Sequence, residues 1–205
     1  MRPVLRRRRH NQSERGANMV EFAIVVPLMA LFVFGLIELG TAWRDTLTVN
    51  TAARSGVRIA SNLGNERLSD WETISSVKAA LGDIDSADIL SVIVYNAAAT
   101  DGQIPAACLS GGGTSVIGSC NHYTPAQLET LSESDFGTTG AACSASSPDR
   151  YWCPLDRSTI QGSLDHIGVY LRIQYQSKTD ILPFDTLTIE DSAVMRVEPR
   201  LETSI

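Results

Sequence analysis

The 205-residue chain has no H-E-x-x-H, no G-x-S-x-G and no C-x-x-C. The first two absences remove the frames in which a zinc protease holds its metal or a hydrolase presents its serine. The third removes the close cysteine pair of a structural zinc site. The glycine-rich stretch LSGGGTS at 109–115 lacks the Lys-Ser/Thr ending of a phosphate loop and reads as a flexible turn. His122 and His166 stand isolated, and Asp165-His166 alone makes no triad. These gaps point away from an enzyme, with no catalytic residue, no metal and no cofactor expected.

Basic charge is scarce after the first few residues. The net charge is −6, but residues 1–16 hold six arginines against Glu14 alone, so 17–205 carry 11 basic and 22 acidic side chains. An acidic body repels phosphate, which argues against a nucleic-acid partner. The arginines stand just before an apolar run and read as a topogenic signal.

Charge of either sign is missing from Phe22 to Ile37, sixteen residues, and only Glu21 and Glu38 are charged between Met19 and Trp43. A bilayer core of about 30 Å needs roughly 20 helical residues. The two glutamates are 17 residues apart, about 26 Å along a helix. They fall near the two interfaces, where a carboxylate costs far less than at the midplane. Trp43 and Arg44 follow as an interfacial aromatic and a snorkelling base. The expected organisation is a basic leader at 1–16, a membrane helix at 17–43 and an exported head at 44–205. The basic end stays in the cytoplasm, and the protein crosses the membrane once.

Cys108, Cys120, Cys143 and Cys153 all lie in the exported part. An even number in an oxidising compartment reads as disulfides. Four cysteines allow three pairings. Cys108–Cys120 with Cys143–Cys153 is favoured, because it closes short loops in a segment poor in core residues. A metal site with His122 is the rival.

Apolar and small residues continue at three- and four-residue steps through Leu39, Ala42, Trp43, Leu47, Ala53, Val57, Ala60 and Leu63, so the spacing predicts one helix as far as 63. Gly64-Asn65 is its stop. Pro27 lacks a backbone donor and should bend it locally. A second helix is signalled at 70–81, with Ser69 as cap and Glu72 as its capping-box partner. Strands are expected at 88–96, 167–176 and 186–198. LPFD at 182–185 should join the last two as an antiparallel hairpin. Residues 97–157 form a long Gly/Ser/Ala/Thr-rich insertion that holds all four cysteines. A short helix is expected within 156–165. The fold class is α+β: a long N-terminal helix, a second helix, a small antiparallel sheet of about three strands and a disulfide-bearing insertion.

Function enters through Gly16 and Glu21. The order is basic leader, glycine, four residues, glutamate, then apolar helix. It resembles the processing site of type IV prepilins, which a membrane aspartyl peptidase cuts after the glycine. Ala17 would become the new amino terminus and Glu21 the fifth residue. A glycine lets backbone approach closely. A fifth-position carboxylate can pair with a neighbour's terminal ammonium in a filament, offsetting the burial of both charges.

The wider stretch VEFAIVVPLMALFVFGLIELG, followed by AARSGVR, resembles the TadE-like family of the tight-adherence (Tad) pilus machinery. Val20, Glu21, Phe22, Ala23 and Pro27 match its start. Ile37, Glu38 and Gly40 match its second element, and Ala52, Ala53, Arg54 and Arg58 match its A-A-R-x-x-x-R helix. The resemblance covers about residues 16–60. It implies a bacterial minor pilin or pseudopilin, since Flp-type major pilins are much shorter with almost no globular part. The implied partners are other pilins and pseudopilins, the prepilin peptidase, an assembly ATPase and an inner-membrane platform. The implied place is the inner membrane with a periplasmic head, or the pilus itself.

Within that reading Glu38 either pairs with a partner subunit or is solvated. Arg54 and Arg58, four apart on one helical face, bind acids on a partner or on their own sheet, or remain a solvated face. Two rival readings remain. Small residues at Gly40-Thr41-Ala42 suit a signal peptidase, which would release a disulfide-stapled adhesin or ligand binder starting at Trp43. An uncut, signal-anchored envelope protein is the other.

Overall fold

The computed structural model describes residues 12–82, 84–137, 143–179 and 186–199. Most of the basic leader and the LPFD connection lie outside the described residues. The first element, α1, spans Gln12–Leu63 as 52 continuous residues, about 78 Å at the helical rise. Pro27 lies within it and does not interrupt it. The helix stops at Gly64, whose φ of +53° is the left-handed conformation that glycine adopts without strain. A Cβ there would stand 2.8 Å from Val197 Cγ1, so the turn also needs the smallest residue for space.

The second helix, α2, runs Ser69–Leu81 and buries Ile74, Val77 and Leu81. Its start differs from the expected capping box. Leu68 precedes the first turn and no side chain caps it. Ser69 is drawn inward to accept from Arg157 Nη1 at 3.2 Å, and Glu72 stays exposed. The helix starts one residue earlier than expected, so Ser69 is its first residue and not its cap.

The sheet has four antiparallel strands: β1 Ile89–Asn96, β2 Cys120–Tyr123, β3 His166–Gln176 and β4 Thr186–Arg196, in the order β2-β1-β3-β4. Three fall where the β-branched runs place them. The addition is β2, only four residues long and inside the insertion, too short for an alternating pattern to register. A short helix follows it, α3 at Pro125–Thr130. Thr124 and Gln127 form a reciprocal capping box there, a T-x-x-Q signal visible in sequence. The helix expected within 156–165 is absent; a single 3-10 turn at Pro154–Asp156 stands beside it.

Both faces of the central strands are covered. Val92, Val94, Val169, Leu171, Ile173 and Ile189 pack against α1 and α2 on one face. Ile93, Tyr95 and Tyr170 pack with Cys108 and Cys120 under the insertion on the other. This is why β3 is buried almost throughout and does not alternate. The head docks on α1 through small residues. Ala52, Ala53 and Ala60 are fully buried, and a Cβ on Gly56 would lie 2.5 Å from Val77 Cγ2. The A-A-R-x-x-x-R segment is therefore a two-sided helix, with alanines against the head and arginines facing out.

Candidate functional site: an anchor helix and its junction with the head

From Met19 to Ile37 the side chains of α1 are exposed, apart from partial cover at Ala30 and Gly35. The helix is long and apolar enough to cross a membrane. Its bare part from 18 to 37 is about 30 Å by the helical rise, close to a bilayer core. Gly16 and Ala17 lie in its first turns, and an added Cβ on Gly16 would meet nothing within 4 Å. Glu21, Phe22 and Pro27 are exposed, and among the described residues Glu21 has no hydrogen-bond or ion-pair partner.

Glu38 has a different fate from either sequence alternative: it is neither solvated nor open to a partner. It is only 1 % exposed. Tyr175 OH donates to its Oε1 at 2.7 Å, Lys178 N–H donates to the same oxygen at 2.9 Å, and Thr179 Oγ1 donates to Oε2 at 3.0 Å. Thr41 Oγ1 lies 2.6 Å from the same tyrosine hydroxyl. Three donors from the end of β3 and its following turn supply what water would, which is the condition for burying a carboxylate. Glu38 thus fastens the head to α1 where the bare helix ends. Higher up, Asn50 Nδ2 donates to Asp191 and Ser61 Oγ donates to the Arg196 carbonyl.

The outward face of α1 carries Trp43 (64 % exposed) and Leu47 (54 %), then Arg54 and Arg58. The periodicity groups Trp43 and Leu47 with Ala53, Val57 and Ala60; the fold splits them between two faces. The arginines are exposed and among the described residues neither is paired.

A second polar centre, buried under the insertion, ties that segment to α2. Asp70 is fully buried and accepts from Arg157 Nη2 at 2.5 Å, Asn121 Nδ2 at 2.8 Å and Tyr123 OH at 2.7 Å. The guanidinium lies 4.2 Å from the Trp152 ring centroid. These partners are 51 to 87 residues apart in sequence, so no local motif announces them. Both favoured disulfides are present, Cys108–Cys120 and Cys143–Cys153. Their sulfurs are thereby unavailable to the rival metal site. His122 is half-buried and burial pushes its imidazole down from its ordinary value. His166 is exposed, and Asp165 accepts from the Ser158 N–H rather than serving it.

Asp149 lies beside this centre, fully buried, with one carboxylate oxygen bonded by Ser147 and the other unpartnered. Burial pushes its carboxyl up to about 6, the charge of Asp70 adds to this, and the Ser147 bond opposes it. A raised carboxyl holds its proton longer in the folded state, so stability falls as pH rises from about 4 to 6 and is flat above. Asp149→Asn is expected to remove that slope and to raise stability at pH 7 by about 1–2 kcal/mol. Thermal melts of both full-length chains in detergent at pH 5 and 7 check it; an equal shift with pH in the two chains would refute it.

The model of the TadE-like protein family matches residues 16–58. The match begins at Gly16, ends at Arg58 and takes in the bare apolar stretch, Glu38 and the alanines at 52 and 53. It leaves the sheet and the disulfide-bearing segment outside. No curated protein and no solved structure matches the chain.

Proposed function

We propose that the chain is a minor pilin-like subunit of a Tad-type pilus, cut after Gly16 and held by α1 in the inner membrane. The family match over the whole anchor carries the pilus association. The bare apolar helix, with a lone unpartnered carboxylate at Glu21 near its start, supports the assembly mechanism. Cleavage would create an ammonium at Ala17. In a bundle of such helices Glu21 of one subunit would neutralise the ammonium of its neighbour, and neither charge would be buried alone. The head faces the periplasm, in keeping with its two disulfides and with the basic leader before the anchor. The role is mechanical. Its partners are other pilins and pseudopilins, the prepilin peptidase that makes the cut, and the ATPase and platform that drive assembly.

The secreted reading is disfavoured by Glu38. A cut between Ala42 and Trp43 would remove the carboxylate and leave the Tyr175, Lys178 and Thr179 donors without their acceptor. The decisive experiment is the N-terminus of the protein from its own cells' membranes, by intact mass and terminal sequencing. A chain beginning at Ala17 is expected. A start at Trp43 would mean a secreted domain, and an uncut Met1 beside an active prepilin peptidase would mean a plain signal anchor.

A further inference from the structure

The exposed face of α1 does not end with the bare helix. Leu36, Trp43 and Leu47 are 55, 64 and 54 % exposed, and Arg54 and Arg58 are exposed further along. At about 3.6 residues per turn, all five fall within about 60° of arc. One stripe therefore runs up the helix, apolar from the bare stretch through Leu47 and basic beyond it. The head covers the opposite side, where Ala52, Ala53 and Gly56 are buried. Among the described residues no acid of the head pairs with either arginine, although residues 17–205 carry 22 acidic side chains against 11 basic ones.

The stripe is longer than the membrane is thick. Residues 18 to 37 already match a bilayer core of about 30 Å. Carried on to Leu47, the apolar stripe is about 45 Å long. An upright helix would hold Leu47 about 15 Å above the core, beyond the headgroup layer, which adds only about 5–8 Å on each side. An apolar surface longer than the core is accommodated by tilting, within a range of about 0–40°. A tilt of about 35° shortens 45 Å to about 37 Å along the membrane normal, and side chains on the lower face of the helix reach about 3 Å further down. Leu47 then stands in the headgroup layer and Trp43 at the edge of the core. The two arginines come within about 10 Å of the headgroups, close to a Debye length. Charge sets the direction of the tilt. Leaning towards the stripe lifts the acidic head off the bilayer, whereas leaning away would press that head onto the lipid phosphates.

From this geometry we infer that α1, while the subunit is held in the membrane, crosses it tilted by about 35°, and that its Trp43–Arg58 face is a lipid-binding surface resting on the anionic phospholipids of the leaflet from which the head emerges. The continuity of the stripe with the membrane-spanning surface identifies its occupant. The Trp43 ring sits at the headgroup level, where such amphipathic rings collect. Leu47 is withdrawn from water beside it. Arg54 and Arg58 face the lipid phosphates and find there the negative charge that the head does not offer them. The inference rests on the proposal that α1 spans the membrane.

The full-length protein is reconstituted into vesicles of phosphatidylcholine, with and without about one quarter of phosphatidylglycerol. It carries one spin label at a time, on Phe32→Cys, Leu47→Cys or Glu72→Cys. All three positions are exposed, so the fold is spared. The native cysteines are joined in disulfides, so the introduced thiol alone takes the label. Collision of the label with a water-soluble nickel chelate reports its depth. In the anionic vesicles the label at Leu47 is expected to be at least fivefold less accessible than the one at Glu72. Arg54→Gln with Arg58→Gln is expected to raise accessibility at Leu47 at least twofold in the anionic vesicles and to leave it unchanged in pure phosphatidylcholine. Equal accessibility at Leu47 and Glu72 in the anionic vesicles would mean an upright helix whose stripe is left for a protein partner, and would overturn the inference. A double variant that behaves as wild type in those vesicles would overturn it too. A Phe32 label open to water would bring down the membrane anchor itself, so failure here is distinguishable from failure of the anchor reading.

Discussion

Arg157→Ala is expected to destabilise the head by about 3–5 kcal/mol, the usual result of leaving one member of a buried ion pair behind. Both side chains of the Asp70–Arg157 pair are fully buried. The Asp70 carboxylate would keep only neutral donors, from Asn121 and Tyr123. The Trp152 ring would lose the cation stacked on it. Because Arg157 and Asn121 both lie in or next to the disulfide-bearing segment, the variant should loosen that segment from α2 before it unfolds the sheet. Denaturant titration of the full chain in detergent, followed by tryptophan fluorescence and far-ultraviolet dichroism, checks both parts. A loss below about 1 kcal/mol would mean that the carboxylate finds water, and that the pair does not hold the two layers together.

Glu21→Leu is expected to leave the amount of membrane-bound protein unchanged and to reduce its recovery in sheared pili at least tenfold. The substitution makes the apolar run longer and cleaner, so insertion should not suffer. It removes the one group that could neutralise a neighbour's terminal ammonium, so a helix packed among others would bury an uncompensated charge. Immunoblots of membrane and pilus fractions, alongside Glu21→Asp, separate insertion from assembly. Normal incorporation of the leucine variant would leave Glu21 without an assembly role.

The two centres differ in how they are written along the chain. Gly16, Glu21 and the apolar run lie within two dozen residues, and their meaning depends on order and spacing alone. Glu38 is legible as a charge near the end of an apolar run, but its partners begin 137 residues later, at Tyr175. Ser69-Asp70 shows the same limit from the other side. Ahead of an amphipathic stretch these residues look like a helix cap, and only the arrival of Arg157 from 87 residues away turns them into the floor of a buried ion pair. Periodicity alone does not separate Trp43 and Leu47 from the alanines, for a related reason. Periodicity says which residues share a helical face, and small residues beside large ones leave two faces to choose from.

What the sequence by itself determined is part of what local physics controls. That includes the bare apolar stretch and its length, the continuous helix to Leu63 with its glycine stop, the second helix, the three long strands, and two disulfides closed over 12 and 10 residues. Backbone propensity, bilayer thickness and short-loop closure act within a few turns of chain and need no knowledge of the fold. The tertiary structure alone decided that alanines and Gly56 face the head while Trp43, Leu47, Arg54 and Arg58 face out. It also decided that Glu38 is an internal clasp and that Cys120–Tyr123 adds a fourth strand. Each of these depends on which distant groups arrive to satisfy a buried charge or an unpaired backbone, and a buried polar group takes whichever partner the packing brings within hydrogen-bond reach.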